Sequence, residues 1–541
     1  MENGTHGATT DGEVMHAPTS RMLSSRIEKV LKRISRMKEL RRPWETMFDD
    51  CYKYAMPQRE RFNSGTVAND LASDIFDSTA VISVQEFASR LQQGLVPSGT
   101  QFATLIPGSD IRDTDRKKVT DQLVEINREV YMTIRDSNFD QAVSEAFLDV
   151  AIGTAALIGD SGNSITPITF SSVPLTRLLI EGGPWGATEA MGRERKIKAK
   201  LIPEVFSNAL INDELAKFIQ ETPEKKLDIC ELTWRDRTEV TETWDYSVIV
   251  KKMQHEIKSE RFVGVGSNPW ITFRWSVAAG EDWGRGQLLN ALPDIRTLNL
   301  VKELILENAE IAISGIWQTD DEGVVNGDTI NIAPGTIIPI RPGSNGLVPL
   351  TSPNNFDVSQ FIVEDLQNNI KRALFDDMIG PINDTVRSAT EISTRKMELF
   401  RRIGSSFGRL VNELVFQVIK RTVFILRERG VIELPVIDGR IIDIAVTSPL
   451  ANSQNDEEIV AIGRYLDQVN SQLGPQIALM ATKSEEMAAY LAARHGVPPQ
   501  LIRDVTEQKA LAEKLGAAAA NSGIDPAQMV AGAAQGGTPV G

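Results

Sequence analysis

Two long runs of helical periodicity bracket a stretch that cannot be helical, and this most constrains how the chain can fold. In residues 292–317, Ile295, Leu298, Val301, Leu304, Ile305, Ala309 and Ile313 recur every three or four positions, with Pro293 near the start. In residues 357–379, Phe361, Ile362, Leu366, Ile370, Leu374, Met378 and Ile379 do the same. Such spacing gathers the apolar side chains on one helix face, and proline is tolerated in a first turn because that N–H has no helical partner. Between them lies "QTDDEGVVNGDTINIAPGTIIPIRPGSNGLVPL" (318–350), dense in glycine and proline, with short β-prone runs at Thr329–Ile332 and Thr336–Ile340. The pattern predicts a turn-and-strand module inserted between two long helices and carried at their tip. Asp357 caps the second helix, with Gln360 at the capping-box position.

The second helix ends in "FDDMIGPINDTVRSATEI" (375–392). Pro381 cannot continue a helix and pushes Gly380 out of the α region. Ser388 and Glu391 have the spacing of a capping box, which satisfies two orphan backbone donors at a helix start. The expectation is helix to 379, a loop at 380–387, then a long helix to about Arg429 with Gly430 as its stop. The acidic "FDD" at 375–377 reads as the solvated end of a helix, with a metal-binding carboxylate pair as the sharper alternative.

Elsewhere the texture divides the chain. Residues 1–22 read as a disordered arm. From Ser25 a helix carries Ile27, Val30, Leu31, Ile34, Met37 and Leu40 on one side and Arg26, Lys29, Lys32, Arg33, Arg36 and Arg41 on the other. That basic side reads as a solvated face, or as a partner or nucleic-acid surface. Helices are expected near 69–94, 115–136 and 138–157. Residues 165–275 alternate Thr, Val, Ile and Trp with polar residues and read as strands, interrupted by one helix at about 203–221. Strands near 432–447 precede an Ala-rich, acidic helical pattern at 454–513, and 516–541 is a low-complexity tail. The fold class is α+β, mainly helical.

Composition narrows the function. The 541 residues carry a formal net charge of −15, which opposes non-specific nucleic-acid binding over most of the surface. Two cysteines, Cys51 and Cys230, lie far apart without a CxxC, against a disulfide framework or zinc site. There is no signal-peptide pattern and no apolar run long enough to span a bilayer, so a soluble, cytoplasmically made protein without membrane contact is expected. No P-loop occurs. "GDSGNS" (159–164) lacks the GxSxG frame, and the four histidines, His6, His16, His255 and His495, offer no evident partner for Ser161. No catalytic residue, metal site or cofactor is expected, and a structural protein is favoured over an enzyme.

The segment "PWITFRWSVAAGEDWGRGQLLNALPDIRTLN" (269–299) resembles a pattern of portal proteins, the head-to-tail connectors of short-tailed bacteriophages, with Gln287 where proline or serine is the usual residue. "RRPWETMFDDCYKYAMPQRE" and "DIFDSTAVISVQEFASRLQQGLVPSGTQFATL" resemble the start of the same family. The resemblance spans about 25–515. It implies a wing (23–284), a stem helix (285–317), a clip (318–354), a second stem helix (355–379), a tunnel loop (380–387), a wing long helix and strand (388–440) and a crown (441–515).

It further implies a ring of twelve copies at one capsid vertex of the virion, assembled in the host cytoplasm. Double-stranded DNA passes through its channel during packaging and ejection. The implied partners are the terminase large subunit, tail adaptor and tail tube proteins, and capsid and scaffold proteins. Expected tunnel-loop residues are Gly380, Pro381, Asn383, Asp384, Thr385 and Arg387, with Lys371 and Arg372 as channel-wall candidates. Each of the cations has a bridge to a neighbouring subunit as its alternative. Asp328, Thr329, Asn331 and Arg341 are candidate clip contacts. The competing readings are a virion or scaffold-like interaction protein without a channel, and a DNA-processing enzyme.

Overall fold

The structure, a computed structural model, describes residues 20–59, 74–163, 165–314, 317–318, 348–349, 356–376, 402–404, 406–434 and 439–473, with isolated positions from 482 to 491. It divides into two units: one of residues 1–99 and 105–444, the other of 100–104 and 445–541. Within the second, the Thr447 amide donates to Phe102 O (3.0 Å), just before helix α10 (Pro449–Leu473). The first unit holds the sheets and the sites described below.

Helix α1 (Ser20–Ala55) starts earlier than Ser25 and runs through Pro43 without ending. Met37 on one side of the proline and Phe48, Cys51 and Tyr52 on the other are almost wholly buried. Packing on both sides outweighs the lost hydrogen bond. The basic side of α1 is neither simply solvated nor laid out for nucleic acid. Arg33 and Arg36 reach Glu181 at 2.6 and 3.3 Å, Lys38 pairs with Glu194, and Arg26 lies 3.6 Å from Glu256. Arg41 Nη1 donates to the carbonyls of Thr176 (3.0 Å) and Leu178 (2.9 Å). Lys29, Lys32 and Arg36 of that side remain exposed, Arg36 while still within reach of Glu181. The acids that Arg26, Arg33 and Arg36 meet lie more than a hundred residues away, so no local pattern reveals them.

The partner of α1 is a five-stranded antiparallel sheet in the order β4 (Leu178–Gly182), β5 (Thr188–Lys198), β6 (Lys226–Asp236), β7 (Thr243–Val250) and β8 (His255–Val263). Because alternate residues of a strand face opposite ways, each face is written into the sequence at period two. One face carries Leu179, Ala190, Cys230, Leu232 and Ile249 against Val30, Ile34 and Met37 of α1. The other carries Ile197, Leu227, Ile229, Val248 and Val250, covered by Ile202 of the short helix α5 (Ile202–Val205), Phe206, and Leu215 of α6 (Asp213–Glu221). The single helix expected at 203–221 is thus two. Asn212 caps the second, its side chain accepting from the Leu215 amide at 2.9 Å.

A smaller sheet, in the order β3 (Ile168–Val173), β2 (Thr154–Ser161) and β9 (Trp270–Arg274), lies beside helix α4 (Phe139–Ile152). The helix expected to reach 157 stops at Ile152. Gly153 has φ +147°, and a Cβ there would stand 2.1 Å from Gly284 O. Ala155–Ile158, helix-like in pattern, become the central strand because β3 and β9 pair with them on both edges. The Gly284-Arg285-Gly286 turn of the resemblance motif closes this corner. Gly284 N donates to Thr154 Oγ1 at 2.8 Å and Gly286 N to Ile152 O at 2.7 Å. A Cβ on Gly286 would fall 2.2 Å from Ala151 O. That clash gives glycine a physical reason at both positions.

Arg274 from the same motif is 2% exposed and bridges three places. It meets Glu413 through its backbone N (2.9 Å) and Nη2 (2.7 Å), Asp282 O through Nη1 (3.2 Å), and Gly186 O through Nη2 (2.6 Å). Glu413 sits in a π-helical turn, Val411–Val415, that leads into α9 (Phe416–Glu428). Such a turn re-aims a side chain within an otherwise regular helix. Gly430, with φ +69°, ends that helix as expected.

Candidate functional site

Helix α7 (Gln287–Ser314) begins inside the unit. Leu288, Ala291, Leu292, Ile295 and Leu298 are buried, and Asn299 accepts from the Phe76 amide at 2.8 Å. Beyond that point its apolar side chains lose their cover: Leu300, Leu304 and Leu306 are about half exposed. Helix α8 (Phe356–Ala373), packed against α7, buries Val363 but leaves its neighbours Phe361 and Ile362 exposed. Phe361 is 72% exposed, whereas Ile370, Leu374 and Phe375 at the other end are buried. The far ends are brought together by an antiparallel pair, Trp317 opposite Pro349 and Gln318 opposite Val348, so residues 319–347 leave from and return to one place. The two helices therefore form a hairpin rooted in the protein at one end and carrying uncovered leucine and phenylalanine toward the other.

The root of α8 differs from expectation. The helix ends at Ala373, not 379. Phe375 turns to φ +59°, and the Asp376 amide closes back on Lys371 O at 2.7 Å. A left-handed phenylalanine is costly, and tertiary contacts hold it there. Its ring stacks on Phe87 (centroids 6.1 Å) and tilts against Trp275 (6.1 Å). Arg90 of helix α2 (Thr79–Leu95) donates to Phe375 O and reaches Asp376 Oδ1 at 3.1 Å, while Ser83 Oγ donates to Asp376 Oδ2 at 2.9 Å. Asp376 is accordingly an anchored carboxylate, not the solvated helix end read from the sequence. Nothing in the sequence near Ser83, Phe87 or Arg90 marks them as its partners, because their role depends on a contact nearly three hundred residues along the chain.

Of the site residues expected from sequence, Lys371 and Arg372 lie on the last turn of α8 and are exposed. Gly380, Pro381, Asn383, Asp384, Thr385 and Arg387, the capping box at Ser388 and Glu391, and Asp328, Thr329, Asn331 and Arg341 lie outside the described residues. Cys51 and Cys230 are free, buried thiols, and burial pushes the Cys230 thiol up to about 12. Among the described residues, no group of three or more His, Cys, Asp or Glu is placed to hold a metal ion, and no helix is long and apolar enough to cross a membrane.

One buried acid stands apart. Asp149 of α4 is fully enclosed. It accepts from Tyr52 Oη at 2.9 Å and lies 3.5 Å from Arg59 Nη2. Its Oδ2 has no hydrogen-bond partner. Burial pushes its carboxyl up to about 6, with Arg59 and Tyr52 opposing the rise.

A family model described as "Bacteriophage head to tail connecting protein" matches residues 27–502. The portal protein of Salmonella phage epsilon15 is 21% identical over 515 residues, covering 89% of this chain and 89% of its own. The probable portal protein of Bordetella phage BPP-1 is 21% identical over 505 residues, covering 87% and 88%. Among solved structures, a chain from the neck of an empty GTA particle is 12% identical with a TM-score of 0.37, covering 81% of this chain and 97% of that one.

Proposed function

The chain belongs to the bacteriophage head-to-tail connecting protein family and serves as a portal, and from that premise we propose how its parts divide the work. Copies of the chain form a closed ring at a capsid vertex, the rooted hairpin α7–α8 being the stem. Head-to-tail contacts close into a ring when the rotation between copies divides a full turn. The observation that carries this reading is the gradient along the hairpin: buried at its root, but with Leu300, Leu304, Leu306, Phe361 and Ile362 uncovered beyond it. Several large apolar side chains left exposed along one hairpin suit an interface between copies. Neighbouring hairpins supply the cover, and the tube they form is the channel for DNA.

In this reading residues 318–354 are the clip, which meets the terminase large subunit during packaging and the tail proteins afterwards, through Asp328, Thr329, Asn331 and Arg341. Residues 380–387 form the tunnel loop, whose root is the anchored pair Phe375 and Asp376. Lys371 and Arg372, exposed at the last turn of α8, stand just before that loop. A subunit of net charge −15 that sets only a few cations at the channel wall suits passage of DNA rather than its retention, since each phosphate contact adds salt-dependent affinity. Capsid and scaffold proteins contact the wing and crown at the vertex of the virion.

Electron microscopy of the purified protein tests the ring, and deletion of residues 382–386 tests the loop. The reading expects rings with a central hole from both proteins, and capsids of the deletion that fill poorly or lose DNA. Solitary subunits at assembly concentrations refute the ring. A deletion that packages and holds genomes like the parent refutes the loop's role.

A further inference from the structure

A cavity of about 530 Å³ opens between the two sheets, well away from the hairpin. Its floor is the half of the five-stranded sheet that α6 leaves uncovered. Arg193 and Arg195 of β5, Glu231 of β6 and Tyr246 of β7 lie there, with Trp270 of β9 and Arg421 of α9 opposite. Its size lies within the range of small-molecule pockets, roughly 300–1,000 Å³.

The charges in this cavity do not cancel. Arg193, Arg195, Lys258 and Arg421 face Asp160, Glu231 and Glu260, one more cation than carboxylate. Most of them are committed. Arg193 grips Glu231 with two hydrogen bonds (2.9 and 3.0 Å), and Tyr246 Oη donates to the same carboxylate at 3.2 Å. Lys258 pairs with Glu260 at 3.1 Å. Arg421 spends Nε on Gly159 O (2.8 Å) and Nη1 on Ser267 O (2.7 Å), with Asp160 as its nearby countercharge.

Arg195 is the exception. Its Nε lies 2.6 Å from the Glu231 oxygen already taken by Arg193, is buried, and has no hydrogen-bond partner of its own. The guanidinium rests over the Phe206 ring (5.4 Å), and burial holds its pKa below the ordinary value. One carboxylate serves two guanidiniums, and the Arg195 Nε–H is not in line with the oxygen they share.

We infer that the cavity binds an oxyanion, a carboxylate or phosphate group, through Arg195, with the Phe206 and Trp270 rings walling the site. A guanidinium presents paired donors that match such a group. The oxyanion comes either from a small solute or from an acidic side chain of a second copy of this chain. The latter source rests on the ring proposed above; the former does not.

Calorimetric titration with inorganic phosphate at constant ionic strength, together with sedimentation across a concentration series, separates the two sources. The variants are Arg195→Met, Arg195→Lys and Arg193→Met. Arg195→Met is expected to fold as well as the parent, because Glu231 keeps Arg193 and Tyr246, whereas Arg193→Met is expected to lower the melting temperature. If the oxyanion is a solute, phosphate binds the parent and at least about tenfold more weakly to Arg195→Met, the worth of one charge-assisted contact. Arg195→Lys falls between them. If it is a neighbour's side chain, phosphate does not bind, and Arg195→Met raises the concentration needed for assembly at least about tenfold. A folded Arg195→Met that matches the parent in both measurements overturns the inference.

Discussion

The five-stranded sheet and the helical hairpin α7–α8 are built from similar apolar residues and end in opposite states. In the sheet, Ile229, Val248 and Ile249 are wholly buried, each face covered by a helix of the same chain. In the hairpin, the outer leucines and Phe361 face solvent although their periodicity is as regular as that of the buried turns. The difference teaches that periodicity marks a face to be covered without saying what covers it. The sheet is covered on both faces within one subunit, whereas in the proposed ring other copies cover the hairpin. Stability measured on the isolated subunit therefore reports on the sheet, and assembly reports on the hairpin.

Substitutions can break that division, and their effects on the isolated subunit should fall in a definite order. Glu231→Ala strands two guanidiniums over the sheet and should cost about 3–5 kcal/mol, the usual loss when one partner of a buried pair is removed. Urea unfolding measures it, and a cost below about 1 kcal/mol would mean that water reaches the cluster freely.

Asp149 should give a smaller, pH-dependent effect. Its folded pKa of about 6 lies above the unfolded carboxyl near 3.8. The folded state therefore binds the proton more tightly. The resulting stabilisation is complete below about pH 4 and fades as pH rises through about 6. The stability of the parent relative to Asp149→Asn should decline from pH 4 to 7 and then level off. A flat difference across that window would show that Asp149 stays ionised throughout.

Arg36, with a side chain 68% exposed beside Glu181, should matter least among the charges. Arg36→Ala is expected to change stability by no more than about 1 kcal/mol. Phe361→Asp closes the series. It should leave subunit unfolding within about 0.5 kcal/mol of the parent, as exposed substitutions do, while sedimentation shows assembly abolished. If Phe361→Asp instead unfolds the subunit, the hairpin is part of the subunit's own core and the contrast with the sheet collapses.

Much of the framework was legible before any coordinates. The α7 run, the β-rich block and the stop at Gly430 follow from local rules of spacing, capping and φ preference. The same rules failed where distant groups intervened. "AFLDVAIGTAALIG" has helical spacing throughout, yet Gly153 must let Gly284 approach and the residues after it pair with β3 and β9. The run to Ile379 likewise has helical spacing, but Phe375 leaves the helix to enter the cleft of Phe87 and Trp275. The arginines of α1 sit on a polar helix face, and only the folded sheet puts Glu181 and Glu256 within their reach. At the root of α8, Arg90 and Ser83 carried no sequence signal, since a hydrogen-bond partner far along the chain leaves no periodic trace.

The sequence by itself determined which residues prefer helix, strand or turn, that a glycine-rich module parts two long helices, and, through the 269–299 motif, the family. Those are properties of neighbouring residues, and nearest-neighbour sterics and period suffice to read them. The tertiary structure alone decided where α4 and α8 stop, which acids neutralise α1, why the Gly284-Arg285-Gly286 turn admits no side chain at its glycines, and which apolar faces stay uncovered. Each of these turns on atoms that come within a few ångströms only after folding, where excluded volume and desolvation override local preference.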